Sequence, residues 1–413
     1  MMPDVDLGAM LRLTRADLPI FFVLFDAFLW YYLTLNVIAG ISVSLNMDYM
    51  VLLFLHAMGV LAAGAIGLFS SRNRYKLLLL WTALGTITAL LPIFDLSFSV
   101  LNIQLVCIAW GFSFGLGMPS CLGYFTEVIP VERRGRIAGA SLLLSFLCAI
   151  VIDALVRMLG FQMLGFLFMY SSFGILRLLG FIPLLSLGLE KVSTHRQGDG
   201  EHFGLSKVFD RRLGLYLVPW FIFNVIDTVE GLLLKDVVKG IFPDYYSLMQ
   251  FVLLFSLSAF VLVGGILSDF IGRKPMVIVG LSTMGMAYAL ISIIPNNLAV
   301  WFFYFVSDGL AWGLFYTIFI AVIWGDLAPR GLEQLYYYVG SIPFFLASIV
   351  QITLASSVKL LNSTSAFSLA AIFLFLAVLP ILFASETLPE KKIQERQVRD
   401  YVEKAKKLKE KHV

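Results

Sequence analysis

The sequence predicts an all-α membrane protein with twelve transmembrane helices, arranged as two pseudo-symmetric six-helix bundles. Three observations lead to this fold class: the composition, the alternation of basic loops, and short strings that recur in the two halves. Of the 413 residues, 60% are hydrophobic and only 14% are charged, whereas about a quarter of the residues in soluble domains carry charge. We therefore expect a multi-pass protein whose helices lie in a lipid bilayer.

Apolar runs long enough to cross a bilayer recur along the whole chain. A transmembrane helix needs about 20 predominantly apolar residues, and polar segments separate runs of that length. The predicted spans are 18–44, 49–69, 76–95, 99–126, 136–158, 163–188, 212–236, 247–268, 275–295, 298–325, 335–357 and 365–385. The first run follows Arg12, Arg15 and Asp17 and leads directly into further spans, which is not the pattern of a cleaved signal peptide.

The basic residues are unevenly distributed between the loops on the two sides. Arg157, Lys235, Lys239 and Lys359 lie in the loops of one side and Arg177 lies within a span, whereas the rest of the 30 lysines and arginines lie on the other side. The positive-inside rule places the basic side in the cytoplasm. The sequence therefore predicts a protein of the plasma membrane with both termini cytoplasmic.

The chain divides into two halves of six spans. The longest polar loop falls between the sixth and seventh spans, so the predicted parts are an N-terminal bundle (1–188), a central cytoplasmic loop (189–211), a C-terminal bundle (212–385) and a basic cytoplasmic tail (386–413). Short strings recur in the same order in both halves, such as Ala-Trp-Gly in the fourth and tenth spans. Repeats of this kind predict an internal duplication, with a substrate site between the copies.

The most informative string follows the eighth span. It contains Gly265, Asp269, Gly272, Arg273 and Lys274. The glycines allow a tight reversal of the chain, the carboxylate lies where the span meets water, and two cations close the segment. A second string follows the fourth span and contains Glu127, Pro130, Arg134 and Gly135.

These two strings resemble motifs of the major facilitator superfamily. The first is similar to the Gly-x-x-x-Asp-x-x-Gly-Arg-Lys loop that joins the second and third helices of each half. The second is similar to the Glu-x-x-Pro-x-x-x-Arg-Gly signature of the sugar-porter and general metabolite:proton symporter branches. Glu386-Thr387, just after the last span, resembles the tail motif of the same branches. The resemblance implies the major facilitator fold and alternating access, with these nine residues as a gating motif.

The first-half copy of the loop departs from the family pattern. Ser71 stands where the acidic residue belongs, and Arg74 stands where the second glycine belongs. Asp269, in contrast, could accept hydrogen bonds from the N-terminus of a helix in the opposite half, with Arg134 or Arg136 as a partner. We therefore expect the cytoplasmic gate to be asymmetric and to depend mainly on Asp269.

Asp26 is the candidate for proton coupling. It lies near the middle of the first span, where a charge is costly and usually functional, and the resemblance implies that this helix lines the cavity. A structural hydrogen bond to a neighbouring helix is the alternative. Arg177, in the sixth span, should pair inward with Asp26 or Asp153.

Further polar and aromatic residues are candidates for the substrate cavity because they lie on spans that the family uses as cavity walls, or share a helix face with Asp26. They are Trp30, Trp220, Asn224, Asp227, Glu230, Asp308, Trp312 and Tyr316. Asp227 and Glu230 share one face of the seventh span, where they could bind a cationic group or flank an external gate. The excess of acids favours a cation or a proton over an anion.

The sequence contains no phosphate-binding loop, no spaced Cys/His metal cluster and no nucleophile elbow, so we expect neither an enzyme nor a cofactor. No nucleic-acid module is recognisable. The predicted function is a monomeric secondary active transporter of a small organic solute, acting by proton-coupled symport. A translocase of lipids or hydrophobic compounds on the same fold, or a non-transporting sensor, is the alternative.

Overall fold

The computed structural model describes residues 17–69, 74–94, 99–159, 174–186, 210–358 and 362–388, and within these ranges it contains helices and no strand. The helices, numbered in chain order, are α1 (Leu18–Ser44), α2 (Tyr49–Phe69), α3 (Arg74–Phe94), α4 (Val100–Val128), α5 (Arg134–Leu159), α6 (Gly174–Leu185), α7 (Arg211–Ile241), α8 (Tyr246–Ile271), α9 (Arg273–Ile293), α10 (Leu298–Leu327), α11 (Glu333–Val358) and α12 (Ser363–Phe383). The all-α fold class is confirmed.

Eleven helices of the described residues are long and apolar enough to cross a membrane, and α6 is a shorter apolar helix at the position of the sixth predicted span. Part of that span, 163–173, lies outside the described residues, as do Ser71, most of the central loop and the basic tail. The other helices begin and end close to the predicted boundaries, because the thickness of the hydrocarbon layer sets their length.

Side-chain caps and one glycine set several helix ends. Ser99, Asn297 and Asn362 accept hydrogen bonds from backbone N–H groups in the first turns of α4, α10 and α12, which satisfies donors that a helix start leaves unpaired. Gly272 separates α8 from α9 with φ = 114°, a conformation that costs a glycine little and other residues much. The chain therefore reverses sharply between these two helices.

Two helix pairs make the interface between the halves. In one, α5 of the N-terminal half packs on α8 and also contacts α10; in the other, α11 of the C-terminal half packs on α2 and α4. The pairs α5–α8 and α2–α11 are equivalent if the two halves are related by a pseudo-twofold axis.

The α5–α8 crossing is close because glycines lie on both sides of it. A Cβ atom built on Gly265 would lie less than 3 Å from the carbonyl oxygen of Gly135, and one on Gly139 would lie about as near the carbonyl oxygen of Val261. Backbone atoms cannot move aside as a flexible side chain can. The two halves are therefore in direct backbone contact at this point.

Gly265→Ala is expected to push α5 and α8 apart and to lower the free energy of unfolding by about 1–3 kcal/mol, the usual cost of overpacking. Gly231→Ala is the matched control, because a Cβ atom at Gly231 meets nothing within 4 Å and alanine favours a helix over glycine. Thermal unfolding in detergent measures both. A Gly265→Ala protein that melts at the temperature of the Gly231→Ala protein would contradict the close crossing.

Candidate functional site

Asp269, near the end of α8, accepts hydrogen bonds from the N-terminus of α5 in the opposite half. Its two carboxylate oxygens lie 2.9 Å from the backbone nitrogens of Gly135 and Arg136, and the residue is 1% exposed. A helix N-terminus carries a partial positive charge, which favours a carboxylate there. This arrangement connects the two halves at the predicted cytoplasmic side.

Arg273 extends the contact into a buried network of charges. Its Nη1 lies 2.8 Å from Asp269 Oδ1 and its Nε lies 3.2 Å from Asp326 Oδ2, while Nη2 donates to the carbonyl of Val131 in the opposite half. Arg134 of that half donates to the other oxygen of Asp326 at 2.5 Å. Arg136, predicted as a possible partner, also lies 3.9 Å from Asp269, with a side chain about one-fifth exposed. The more deeply buried part of the network contains two arginines and two aspartates, whose charges compensate each other.

Glu386, just after α12, holds the α8–α9 turn in place. Its carboxylate accepts from the backbone nitrogens of Arg273 at 2.9 Å and Lys274 at 3.1 Å. The Lys274 ammonium donates in turn to the carbonyls of Leu382 and Ala384. These hydrogen bonds connect the end of the C-terminal bundle to the loop that carries the network.

A second polar contact between the halves lies at the α2–α11 interface. Arg74 pairs with Glu127 of its own half and reaches Glu333 at the start of α11, 3.7 Å away. Gln334 of α11 donates to the carbonyl of Gly67. The pair between the halves, Arg74–Glu333, is longer than a hydrogen bond, and its Arg74 side chain is 18% exposed, so water screens it more than the fully buried pairs of the Asp269 network. Arg74 thus supplies a weaker contact where the first-half loop lacks its acidic residue.

A cavity of about 70 Å³ lies between the halves, which is room for a few water-sized groups in this conformation. Aromatic and aliphatic side chains from α1, α2, α4, α7, α10 and α11 surround it. They include Phe28, Tyr31, Phe114, Met118, Trp220, Tyr316, Phe319, Trp324, Tyr337, Tyr338, Phe344 and Phe345. The surface that a ligand meets is therefore mainly apolar, with tyrosine hydroxyls among the polar groups.

A π-helical segment at Tyr316–Val322 interrupts α10 at the cavity wall. Tyr316, Phe319 and Ile320 from this segment line the cavity, while Thr317 donates to the carbonyl of Val261 in α8. Single π turns inside α-helices are rare overall, and many of those that occur lie at functional sites. The widened turn brings these three side chains to the same cavity.

The sequence-predicted cavity residues of α7 and α10 are only partly in the cavity wall. Trp220 and Tyr316 line it, and Trp220 is held by a hydrogen bond from its Nε1 to the Gly340 carbonyl. Asn224 donates to the Trp220 carbonyl within α7. Trp312 packs edge-on against Trp220 with ring centroids 6.2 Å apart, just behind the wall.

The predicted acids of the C-terminal half lie beyond Trp312. Its Nε1 donates to Asp227 Oδ1 at 3.0 Å, and the charge of Asp227 interacts with those of Glu230 and Asp308. Glu230 and Asp308 are buried, with 4% and 7% exposure. The three predicted acids therefore form one cluster, which a single aromatic side chain separates from the cavity.

Asp26 is paired with Arg177 in a buried ion pair between α1 and α6. The guanidinium lies between two indole rings, 4.5 Å from the centroid of Trp30 and 4.1 Å from that of Trp81, where cation–π attraction adds to the ionic contact. Asp26 and Trp30 therefore face α6 rather than the cavity, which differs from the expectation. The reason is Arg177, whose buried charge requires a partner.

Several residues of the site escaped sequence reasoning, among them Asp326, Glu333, Tyr337 and the phenylalanines of α11. Tyr337 shares a hydrogen bond with Thr126 of the opposite half at 2.9 Å. The signal that could have found Asp326 is the internal repeat. In the structure Arg74 begins α3 as Arg273 begins α9, one position away from the sequence comparison that set Arg74 against the second glycine. The pair Arg273–Asp326 in one half therefore corresponds to Arg74–Glu127 in the other. No comparable signal marks the aromatic residues among so many in the chain.

No protein-family model matches the sequence, and no curated protein does. Solved structures do match. The proton:xylose symporter XylE bound to 6-bromo-6-deoxy-D-glucose has a TM-score of 0.70 at 16% identity, covering 90% of this chain and 96% of that one. A partially occluded inward-open form of XylE from E. coli has a TM-score of 0.61 at 17% identity, with 90% and 98% covered.

The human organic anion transporter MFSD10 has a TM-score of 0.62 at 13% identity, covering 88% of this chain and 98% of that one. These structures are transporters and not enzymes. At such identities the similarity concerns the arrangement of helices, and it extends over nine-tenths of this chain. The helix order, the paired interfaces between halves and these matches together show that the chain has the fold of the major facilitator superfamily.

Proposed function

We propose that the protein is a secondary active transporter, which moves a small organic solute across the plasma membrane by alternating access and proton-coupled symport. The observation that carries this proposal is the buried charge network of Asp269, Arg273, Asp326 and Arg134, which connects the two halves on one side of the cavity. A cavity between two halves that are joined on one side is what alternating access requires. The protein acts as a monomer with both termini in the cytoplasm.

The contacts between the halves lie on one side of the protein. Asp269, Arg74 and Gln334 make them at the predicted cytoplasmic ends of their helices. This placement favours a conformation that is closed to the cytoplasm.

Protonation of Asp26 is the coupling step that we propose. A neutral Asp26 would no longer compensate the charge of Arg177, which is 1% exposed, and an uncompensated buried charge is unstable. Proton binding would therefore shift α1 relative to α6. Because α1 also supplies Phe28 and Tyr31 to the cavity wall, this shift would reach the solute.

Transport is tested with purified protein in proteoliposomes and a panel of sugars, amino acids, organic acids and amines. Thermal-shift screening selects the solutes, since a ligand at 100 times its Kd stabilises the folded state by about 2.7 kcal/mol. We expect at least one selected solute to be taken up faster when the outside is more acidic. A folded protein that binds solutes and yet moves none of them in either direction would contradict the proposal.

A lateral groove favours a second candidate, translocation of lipids or hydrophobic compounds. The groove has a volume of about 430 Å³ and lies between α1 and α6, lined by Phe22, Leu179 and Ile182 with Asp26 among the lining residues. Phe22 and Ile182 are exposed, as is usual for side chains that meet lipid. Movement of fluorescent lipids between leaflets of the same proteoliposomes distinguishes this function from solute uptake.

A further inference from the structure

The acid cluster of Asp227, Glu230 and Asp308 contains carboxylates that the described residues leave unpaired. Glu230 Oε2 and Asp308 Oδ1 are buried and have no hydrogen-bond partner, and the described residues form no ion pair with any of the three acids. Buried polar groups are normally hydrogen-bonded and buried charges paired. This cluster therefore lacks positive charge from the surrounding helices.

Two tyrosines complete the surroundings of the acids. The hydroxyls of Tyr288 and Tyr304 lie 3.4 Å apart, and both rings lie within electrostatic reach of Asp227 and Asp308. The ring centroids are 5.3 Å apart. The cluster thus combines three acids with two tyrosine hydroxyls, and both carboxylate and hydroxyl oxygens accept hydrogen bonds from a cationic group.

The cluster is connected to the cavity through Trp312. Its indole donates to Asp227 on one side, and its ring packs on the cavity-lining Tyr316 and Phe344 on the other, with centroid distances of 5.3 and 6.1 Å. Asp227 itself is only half-buried. A molecule with a charged end and an apolar end would reach the acids and the cavity together once the Trp312 side chain moves aside.

We propose that Asp227, Glu230 and Asp308 bind the ammonium group of an organic cation whose apolar or aromatic part occupies the cavity. The inference rests on the proposed function and names the substrate class of its site. No group of three His, Cys, Asp or Glu side chains in the described part of the chain is arranged to hold a metal ion.

The test compares three probes with the same ring and different charge: benzylammonium, benzyl alcohol and benzoate. Calorimetry on the purified full-length protein is expected to show benzylammonium binding at least about tenfold, or 1.4 kcal/mol, more tightly than the other two. Glu230→Gln and Asp308→Asn should each remove most of this preference while leaving the weak binding of benzyl alcohol, which also shows that the variants are folded. Asp236→Asn, an exposed acid further along α7, is the control and should keep the preference.

Two results would contradict the proposal that these acids bind an ammonium group. One is equal or tighter binding of benzoate or benzyl alcohol by the parent protein; the other is an undiminished preference in both variants. Transport is scored separately in proteoliposomes. Uptake of a neutral or anionic solute without ammonium binding would contradict the ammonium site and support the transport function. Ammonium binding without any uptake would support the site and contradict the transport function.

Discussion

Asp26→Asn is expected to lower the free energy of unfolding by about 3–5 kcal/mol, the usual cost of removing one partner of a buried ion pair. Arg177 is 1% exposed and Asp26 7% exposed, so water cannot compensate the remaining charge. Thermal and denaturant unfolding in detergent micelles measure the loss. A variant as stable as the parent protein would contradict the pairing.

The double variant Asp26→Asn/Arg177→Met is the control for this prediction. Replacing both members of a buried pair is often neutral or stabilising, so the second substitution should recover most of the stability that the first removes. The double-mutant cycle isolates the pairwise energy. A double variant with the summed losses of the two single variants would show that the ion pair contributes nothing.

The same double variant separates coupling from structure. If Asp26 carries the proton, the folded double variant should take up solute at a rate that no longer depends on the pH gradient. If the pair is only structural, gradient-driven uptake should persist. The comparison uses the stability measurement to exclude misfolding as the cause of lost coupling.

Much of the fold could be predicted because the bilayer restricts the chain to apolar helices of a nearly fixed length. Apolar length gives the spans, while the orientation that the positive-inside rule assigns to them stays a prediction. The position of Asp269 at the N-terminus of α5 also follows from a short motif. These features depend on local sequence, which is why reading the chain from one end to the other recovers them.

The remaining features depend on contacts between distant residues. The sequence left Asp26 and Asp153 as alternative partners of Arg177, and only the packing of α6 beside α1 selects Asp26. The π-helical segment at Tyr316–Val322 has no sequence signal. It changes only which side of α10 the following residues face, and an apolar run looks the same in either case. The place of Asp326 between Arg273 and Arg134 likewise requires the two halves to meet.

Asp269→Asn is expected to open the side of the protein that the charge network closes. Asparagine cannot neutralise Arg273, which is 0% exposed, and hydrogen bonds to charged groups contribute about 1.5–3 kcal/mol each. Losing about 3 kcal/mol from the closed conformation alone changes its population relative to the open one by about 150-fold. Asp244→Asn removes an exposed acid on the opposite side and should change nothing.

The most direct measurement is the distribution of distances between spin labels on the two halves, at Leu80→Cys in α3 and Ile271→Cys at the end of α8, both exposed positions. In the parent protein and in Asp244→Asn, one short distance should predominate. In Asp269→Asn, a longer distance should become the main population. Identical distributions in all three proteins would contradict the proposal that this network holds the two halves together on the predicted cytoplasmic side.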